Sequence, residues 1–320
     1  MKVVLDREGE GLLCSFCGKR EVVFIRFYSG ERLCKNCFLN SIEKKVKKTI
    51  SRYGMFRFDD RIAVAVSGGK DSISLLYILH KIEKSFPKAS LFAITVDEGI
   101  EGYREEAVKN AEEACRKLGV EHVVVSFKEF YGVTVDEIAK KIKDKKGELT
   151  PCSYCGVLRR RVLNKVARDF NATKIATAHT LDDEVQTILL NFIHGDVFRA
   201  SRVEPKMEDE KGKFVPRVKP FSEIPEEEVA LYAYFRGISF QSSDCPYAYM
   251  ALRSEIREFL NRLEYRHPGT KFTIYRSFEK VRPLLKPILS PRLMLCQVCG
   301  EPTTKPVCEP CSMVKRLLAF

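Results

Sequence analysis

The sequence predicts an α/β fold, a parallel-sheet domain with a small metal-held module at either end, on three observations. Residues 62–82, IAVAVSGGKDSISLLYILHKI, read as a buried strand, a glycine turn and a helix. Further short apolar strands then alternate with helical stretches. Two C-x2-C pairs stand near each end of the chain.

At the amino end, Cys14-x2-Cys17 and Cys34-x2-Cys37 are separated by sixteen residues. This spacing falls within the structural zinc pattern, and the intervening loop is long enough to bring four thiolates into a tetrahedron. Gly18 follows the first pair, where a tight knuckle needs a permissive backbone. Residues 38–53, FLNSIEKKVKKTISRY, form a basic amphipathic helix whose lysines either touch RNA or form a solvated face.

Ile62 to Val66 is short, apolar and β-branched, as suits a parallel strand covered on both faces. In the turn Ser67-Gly68-Gly69-Lys70, two glycines let the backbone close on an anion. The free N–H groups and dipole of the following helix favour phosphate at that point. Ser67, Lys70 and Ser72 add hydroxyl and ammonium donors, and Asp71 suits a Mg²⁺ ion held beside the phosphates. Ile73, Leu76, Leu79 and Ile82 form the helix face that packs on the sheet. The turn matches neither G-x-x-x-x-G-K-[ST] nor G-x-G-x-x-G.

SGGKDS at 67–72 resembles the PP-loop of the ATP pyrophosphatase family, over about residues 50–270 of this chain. The resemblance implies an adenine nucleotide alpha hydrolase-like fold and cleavage of ATP between its α- and β-phosphates, with adenylation of a substrate oxygen. It leaves the substrate open among tRNA thiolation, lysidine synthesis and the synthesis of guanylate or NAD.

Residues 91–97, LFAITVD, read as a second buried strand. Its carboxyl end, Val96 and Asp97, belongs beside that of the first strand, where ligands of open α/β sheets bind. The backbone groups of Ala65 and Val96 are therefore candidates to read adenine or ribose. Helix 103–118, with Cys115 as a buried residue, and strand His122–Phe127 continue the alternation. KIATAH, 174–179, is the next strand and leaves His179 at the active rim. In the helix that begins at Thr180, Asp182, Asp183 and Glu184 occupy the first turn. They either complement its dipole or serve Mg²⁺ binding and base activation. The resemblance favours Asp183 as proton acceptor or positioning group. MEDEKGK, 207–213, reads as the apex of an exposed loop, residues 216–237 return to helix, and Arg253–Tyr265 reads as the last helix of the central domain. His80, His122, His194 and His267 lack ligand spacing and read as surface or packing residues.

Cys152-x2-Cys155 follows Pro151 and opens a helix, whose dipole is expected to lower the thiol pKa values. The next cysteine downstream is Cys245. Three ligands do not close a structural zinc site. They suit either a redox pair or a cluster bound by three thiolates with one metal position open. At the carboxyl end, Cys296-x2-Cys299 and Cys308-x2-Cys311 are eight residues apart, in a segment punctuated by Gly300, Pro302, Pro306 and Pro310. It reads as a second zinc ribbon, mostly turns, too short to hold a core without metal. The domains expected are residues 1–40, 41–285 and 286–320.

The chain carries 55 Lys and Arg against 43 Asp and Glu, a net charge of +12, which favours a polyanionic partner such as RNA. No apolar run reaches the ~18 residues of a membrane span and the amino end lacks a signal-peptide core. A cytoplasmic protein is expected, in which twelve cysteines serve metals rather than disulfides.

The PP-loop with Cys152, Cys155 and Cys245 resembles the tRNA 2-thiolation branch of that family. This implies a [4Fe–4S] cluster on those cysteines, ATP with Mg²⁺, and tRNA as substrate. Ribbons holding two Zn²⁺ at both ends resemble the branch that thiolates 5-methyluridine 54, while the wobble-uridine 34 branch shares much of the layout. Some relatives place lysine where Arg159 stands; arginine keeps a phosphate contact but not a general-base role. The implied reaction is attack of the uracil C2 oxygen on the α-phosphate, then replacement of that oxygen by sulfur. The resemblance also suggests a ubiquitin-like thiocarboxylate carrier as sulfur source. A homodimer, common in that family, is demanded by no apolar stripe here. The non-enzymatic alternative is a zinc-ribbon RNA-binding protein with a vestigial nucleotide site.

Overall fold

The apolar strands assemble as their composition requires, into a sheet covered on both faces. The structure, a computed structural model, describes residues 12–143, 149–207, 214–248, 252–285 and 294–318. A hairpin of β1 (Phe24–Arg26) and β2 (Glu31–Leu33) leads into α1 (Lys35–Arg52), which runs across the expected boundary at 40/41. The alternating unit is β3 (Arg61–Ala65), α2 (Lys70–Glu83), β4 (Ser90–Asp97), α3 (Arg104–Leu118) and β5 (Glu121–Ser126). Then come α4 (Phe127–Tyr131), α5 (Val135–Ile142), α6 (Pro151–Asp169), β6 (Lys174–Ala176), α7 (Leu181–Ile193) and α8 (Val197–Ser201). Short β7 (Lys206–Met207) and β8 (Arg217–Val218) precede α9 (Glu226–Arg236), α10 (Leu252–Arg266) and α11 (Thr270–Leu285). The chain closes with β9 (Met294–Leu295), β10 (Pro302–Thr303) and α12 (Glu309–Leu318).

The central sheet has the order β5-β4-β3-β6-β8-β7 and is parallel except for the last pair. Alternation along β3 sorts its side chains between two cores. Ile62 and Val64 pack with Phe38 and Ile42 of α1, Ile73 and Leu76 of α2, and Val229 of α9. Ala63 packs on the other side with Leu158, Val162 and Val166 of α6. A third core joins Leu181 and Val185 of α7 to Leu260 of α10 and Phe278 of α11. Cys115 is buried among apolar residues, as expected of it.

Four expectations are corrected. Phe127 is not the end of a strand but the first residue of α4, because Ser126 and Glu129 form a reciprocal capping box there. The strand beginning at Lys174 stops at Ala176, three residues short of His179, where its neighbour β8 ends. α10 is not the last helix of the central unit, since α11 packs against α7 through Tyr275 and Phe278. The carboxyl-terminal cysteine segment contains a helix, α12, with Pro310 in its first turn, where the missing N–H costs nothing. The apex expected at 207–213 lies, beyond Met207, outside the described residues.

Candidate active site

β3 ends at the phosphate-type loop and α2 begins immediately after it, capped by Gly69. Gly68 has φ +87°, and a Cβ there would meet the Ala107 carbonyl oxygen of α3 at 2.0 Å. Only glycine fits, for conformational and steric reasons together. Ser72 Oγ accepts from the Ser67 N–H (3.0 Å) and donates to the Gly69 carbonyl (3.0 Å), which holds the loop closed on itself. Lys70 bridges Asp71 (3.1 Å) and Glu226 (2.7 Å). Although burial works against its charge, the two carboxylates raise its pKa. Burial pushes the Asp71 carboxyl up to about 6, and its Oδ1 is buried without a hydrogen-bond partner. Such an orphaned carboxylate oxygen, with Asp183 adding repulsion, fits a cation such as Mg²⁺.

Sequence reasoning missed the two residues that join the strand ends. Arg104 is buried and donates to the carbonyls of Ser67 (3.0 Å) and Val96 (2.7 Å). Its Nε lies 2.6 Å from Glu98, too far off-angle for a hydrogen bond but a close ion pair. Arg159 reaches the same carboxylate at 3.1 Å from α6. Glu98 is thus a buried anion shared by the nucleotide side and the cysteine helix. An acidic residue just beyond a strand's carboxyl end was the available signal. A nucleotide read by Val96 would share its carbonyl with Arg104, whereas Ala65 lies in register with Ile94 of β4.

The acidic turn of α7 separates into roles. Lys271 holds Asp182, which also accepts from the Glu226 N–H (2.7 Å). Lys219 holds Glu184 (2.8 Å). Asp183 forms a capping box with Thr180, whose N–H and hydroxyl both donate to Oδ2 (3.0 Å each), and its Oδ1 faces Arg253 at 3.7 Å. Burial works to raise its pKa, but the hydrogen bonds from Thr180 and the Arg253 cation help to lower it. It is the half-buried carboxylate of the three, available as well as capping. His179, on the rim, is hydrogen-bonded to Thr177 (2.8 Å); desolvation and the cations Lys219 and Arg217 push its pKa down.

Cys152 and Cys155 stand in the first turns of α6, with Thr150 as cap and Pro151 at its start. Cys245 arrives from the other side. Gln241 donates its N–H to the Gly68 carbonyl (3.1 Å), so the chain bearing Cys245 is laid along the phosphate loop. The Cys152 thiol donates to the Tyr247 carbonyl (3.3 Å). The expected lowering of the thiol pKa values is corrected. Burial outweighs the helix dipole and pushes Cys152 and Cys245 up, and Cys155 up to about 12 despite Arg159. Bound iron deprotonates such ligands outright. Among the described residues only the two terminal cysteine sets bring three or more ligand atoms within 4.8 Å of one another. The sulfurs of the central three are not all gathered within that distance.

The terminal sets are Cys14, Cys17, Cys34 and Cys37, and Cys296, Cys299, Cys308 and Cys311. Cys17 and Cys34 sulfurs are 3.9 Å apart and those of Cys299 and Cys308 3.6 Å. Both match the edge of a tetrahedron with metal–sulfur bonds of about 2.3 Å, so four cysteines at this spacing fit zinc. Arg161 of α6, also missed in the sequence, donates to Cys308 (3.3 Å) and Cys311 (3.2 Å).

A phosphate-type loop at the carboxyl edge of a parallel sheet, with the segment leading to a third cysteine laid against it, defines a class of nucleotide-binding enzyme. A family model for the PP-loop domain matches residues 38–264. A probable sulfurtransferase of Methanocaldococcus jannaschii is 38% identical over 309 residues, 96% of this chain and 89% of that one. The tRNA-5-methyluridine(54) 2-sulfurtransferase of Pyrococcus horikoshii is 35% identical, over 93% of this chain and 92% of that one. A solved structure, the U34-tRNA thiolase NcsA from Methanococcus maripaludis with its [4Fe–4S] cluster, superposes with a TM-score of 0.82 at 35% identity, covering 95% of this chain and 96% of that one. The chain belongs to the PP-loop family, among its tRNA 2-thiolation proteins.

Proposed function

We propose that this protein is an ATP-dependent tRNA sulfurtransferase that replaces the C2 oxygen of a uridine with sulfur. The observation that supports the reading is the pairing of Gln241 with Gly68, which lays the segment leading to Cys245 against the phosphate loop. Activation and sulfur delivery then share one rim. The NcsA structure covers both ribbons of this chain, so the ribbons do not discriminate positions 54 and 34.

In the reaction the uracil C2 oxygen attacks the α-phosphate and pyrophosphate leaves. The loop N–H groups, Lys70 and Ser67 bind the phosphates, while Asp71 would hold Mg²⁺. Asp183, ionised, accepts the uracil N3 proton as the C2 oxygen becomes bonded to phosphorus. Arg159 offsets charge on the adenylate, which departs as AMP when sulfur attacks C2. Catalysis at the first step is positioning and charge stabilisation. Cys152, Cys155 and Cys245 would hold a [4Fe–4S] cluster, whose fourth iron supplies a position for the incoming sulfur. A thiocarboxylate carrier protein in the cytoplasm is the proposed sulfur donor. No described helix is long and apolar enough to cross a membrane.

The test is metal and product analysis on protein purified without oxygen. About four iron and two zinc per chain are expected, with ATP- and sulfide-dependent 2-thiouridine in digested tRNA and its position mapped by sequencing. Cys245→Ala should lose the iron and the 2-thiouridine while retaining ATP affinity. Full thiolation by that variant would remove the three-cysteine centre from the mechanism.

A further inference from the structure

Most buried cations of this protein have a carboxylate. Arg26 has Glu228 and Glu31, Arg104 has Glu98, Lys219 has Glu184 and Lys271 has Asp182. Two arginines at the cysteine helix, one exposed and one with a buried Nε, have none among the described residues. Arg160 is exposed on α6, its guanidinium lying over Gly156, 3.6 Å from where a Cβ would stand and next to Cys155. Arg217 opens β8 in register with Ile175 of β6. Residues paired in a parallel ladder share a face. Ile175 packs with Leu158 and Val162 of α6, so Arg217 is directed at the same helix. The Val215 N–H donates to Asn164 Oδ1 (3.1 Å) and ties the strand's lead-in to α6. Arg217 Nε is buried with no partner, and among the described residues no carboxylate pairs with Arg160 or Arg217. Arg199 of α8 is exposed nearby, bonded only to Asp196 of its own turn (3.2 Å).

Like charges gathered without an anion are unfavourable in the free protein. Desolvation lowers both pKa values, that of Arg217 to about 10 with Arg160 adding repulsion, and that of Arg160 with Arg159 and Arg199 adding repulsion. The planar fork of arginine matches phosphate oxygens. The nucleotide phosphates have their own loop at the start of α2, which packs on the opposite face of the sheet from α6. A second phosphate-type ligand is therefore called for on the α6 side.

We infer that Arg160, Arg217 and Arg199 form a receptor for a backbone phosphodiester of the RNA strand that presents the uridine. The inference rests on the tRNA-thiolation reading. Arg160 and Arg199 are exposed beside the Cys155 turn and Arg217 reaches α6 from the sheet beneath it, so a strand whose base enters toward Cys155 would bring its phosphate to this group.

The test compares Arg160→Ala, Arg199→Ala, Arg217→Ala and the Arg160→Ala/Arg217→Ala pair with wild-type protein for affinity to unmodified tRNA across a salt series. Each removed guanidinium should weaken RNA binding on the order of tenfold and lower the slope of log K against log salt by about one. ATP affinity and iron content should be unchanged. Arg160 and Arg199 are exposed, so those variants stay readable if Arg217→Ala fails to fold. Wild-type RNA affinity and salt slope in the Arg160 and Arg199 variants would overturn the inference. So would a loss of ATP affinity in place of RNA affinity, since the cluster would then serve nucleotide phosphates. Wild-type protein that binds tRNA but forms no 2-thiouridine would instead overturn the function, leaving the phosphate contacts to be judged by the salt slopes.

Discussion

Glu98 accepts charge from two directions, Arg104 at 2.6 Å and Arg159 at 3.1 Å, while being itself almost wholly buried. Removing one member of a buried charge group strands the others, typically at about 3–5 kcal/mol. Glu98→Gln should therefore reduce kcat for adenylation more than it reduces RNA affinity, because Arg104 would lose its hold on the Ser67 and Val96 carbonyls. Pyrophosphate release at wild-type rate in a folded Glu98→Gln protein would show that the arginines need no shared anion. The loop residues themselves were legible in the sequence, because Gly68 and Gly69 act through backbone geometry that neighbours in the chain dictate. Glu98 and Arg104 were not, since their partners lie on other strands and helices. The thiol pKa values were misjudged for a related reason. A helix dipole can be read from a helix start, whereas the burial that outweighs it at Cys155 is assembled from distant segments.

Among the elements, α6 does the connecting. Its first turns carry Cys152 and Cys155, Arg159 reaches Glu98, and Arg161 donates to two thiols of the carboxyl-terminal set. α12 packs Met313 and Leu317 into the same core, and Lys141 of α5 donates to the Leu317 carbonyl (2.8 Å). A cation bonded to metal thiolates tunes and retains the metal, and such outer partners are worth about 10–100-fold in affinity. Arg161→Ala should hasten chelator-driven zinc loss from the carboxyl-terminal site by that order, and leave the site at Cys14 unaffected. Equal release from both sites in both proteins would reduce Arg161 to a packing residue. The cysteine spacing made this ribbon legible, yet its helix was hidden behind Pro306 and Pro310. A proline in a first turn reads in the sequence like one that breaks structure, and only the packing of Met313 and Leu317 tells the two apart.

For the molecule as a whole, acid should loosen the sheet beneath the loop. Thr95 donates its one hydroxyl proton to the Val66 carbonyl (2.7 Å), so His122 Nε2, 2.7 Å away, must be the donor to Thr95. Burial pushes the His122 pKa below its ordinary 6.5. The neutral ring is the form the fold prefers, so its contribution is complete above the unfolded pKa and is lost as pH falls below it. Denaturant unfolding should show this loss of stability between pH 7 and 5, and His122→Gln, which keeps a donor, should remove that part of the slope. Identical slopes for the two proteins would exclude His122 as its source. Whatever depends on neighbours along the chain was determined by the sequence alone: the strand–loop–helix unit at the phosphate site, the alternation that calls for a parallel sheet, and the cysteine spacings of both ribbons. The tertiary structure decided which carboxylates of Asp182, Asp183 and Glu184 are held by lysines, that the segment leading to Cys245 is laid against the phosphate loop, and that Arg160 and Arg217 have no carboxylate partner among the described residues. Each is a matter of which distant charge or backbone group is near, and proximity across the sheet follows from packing rather than from spacing along the chain.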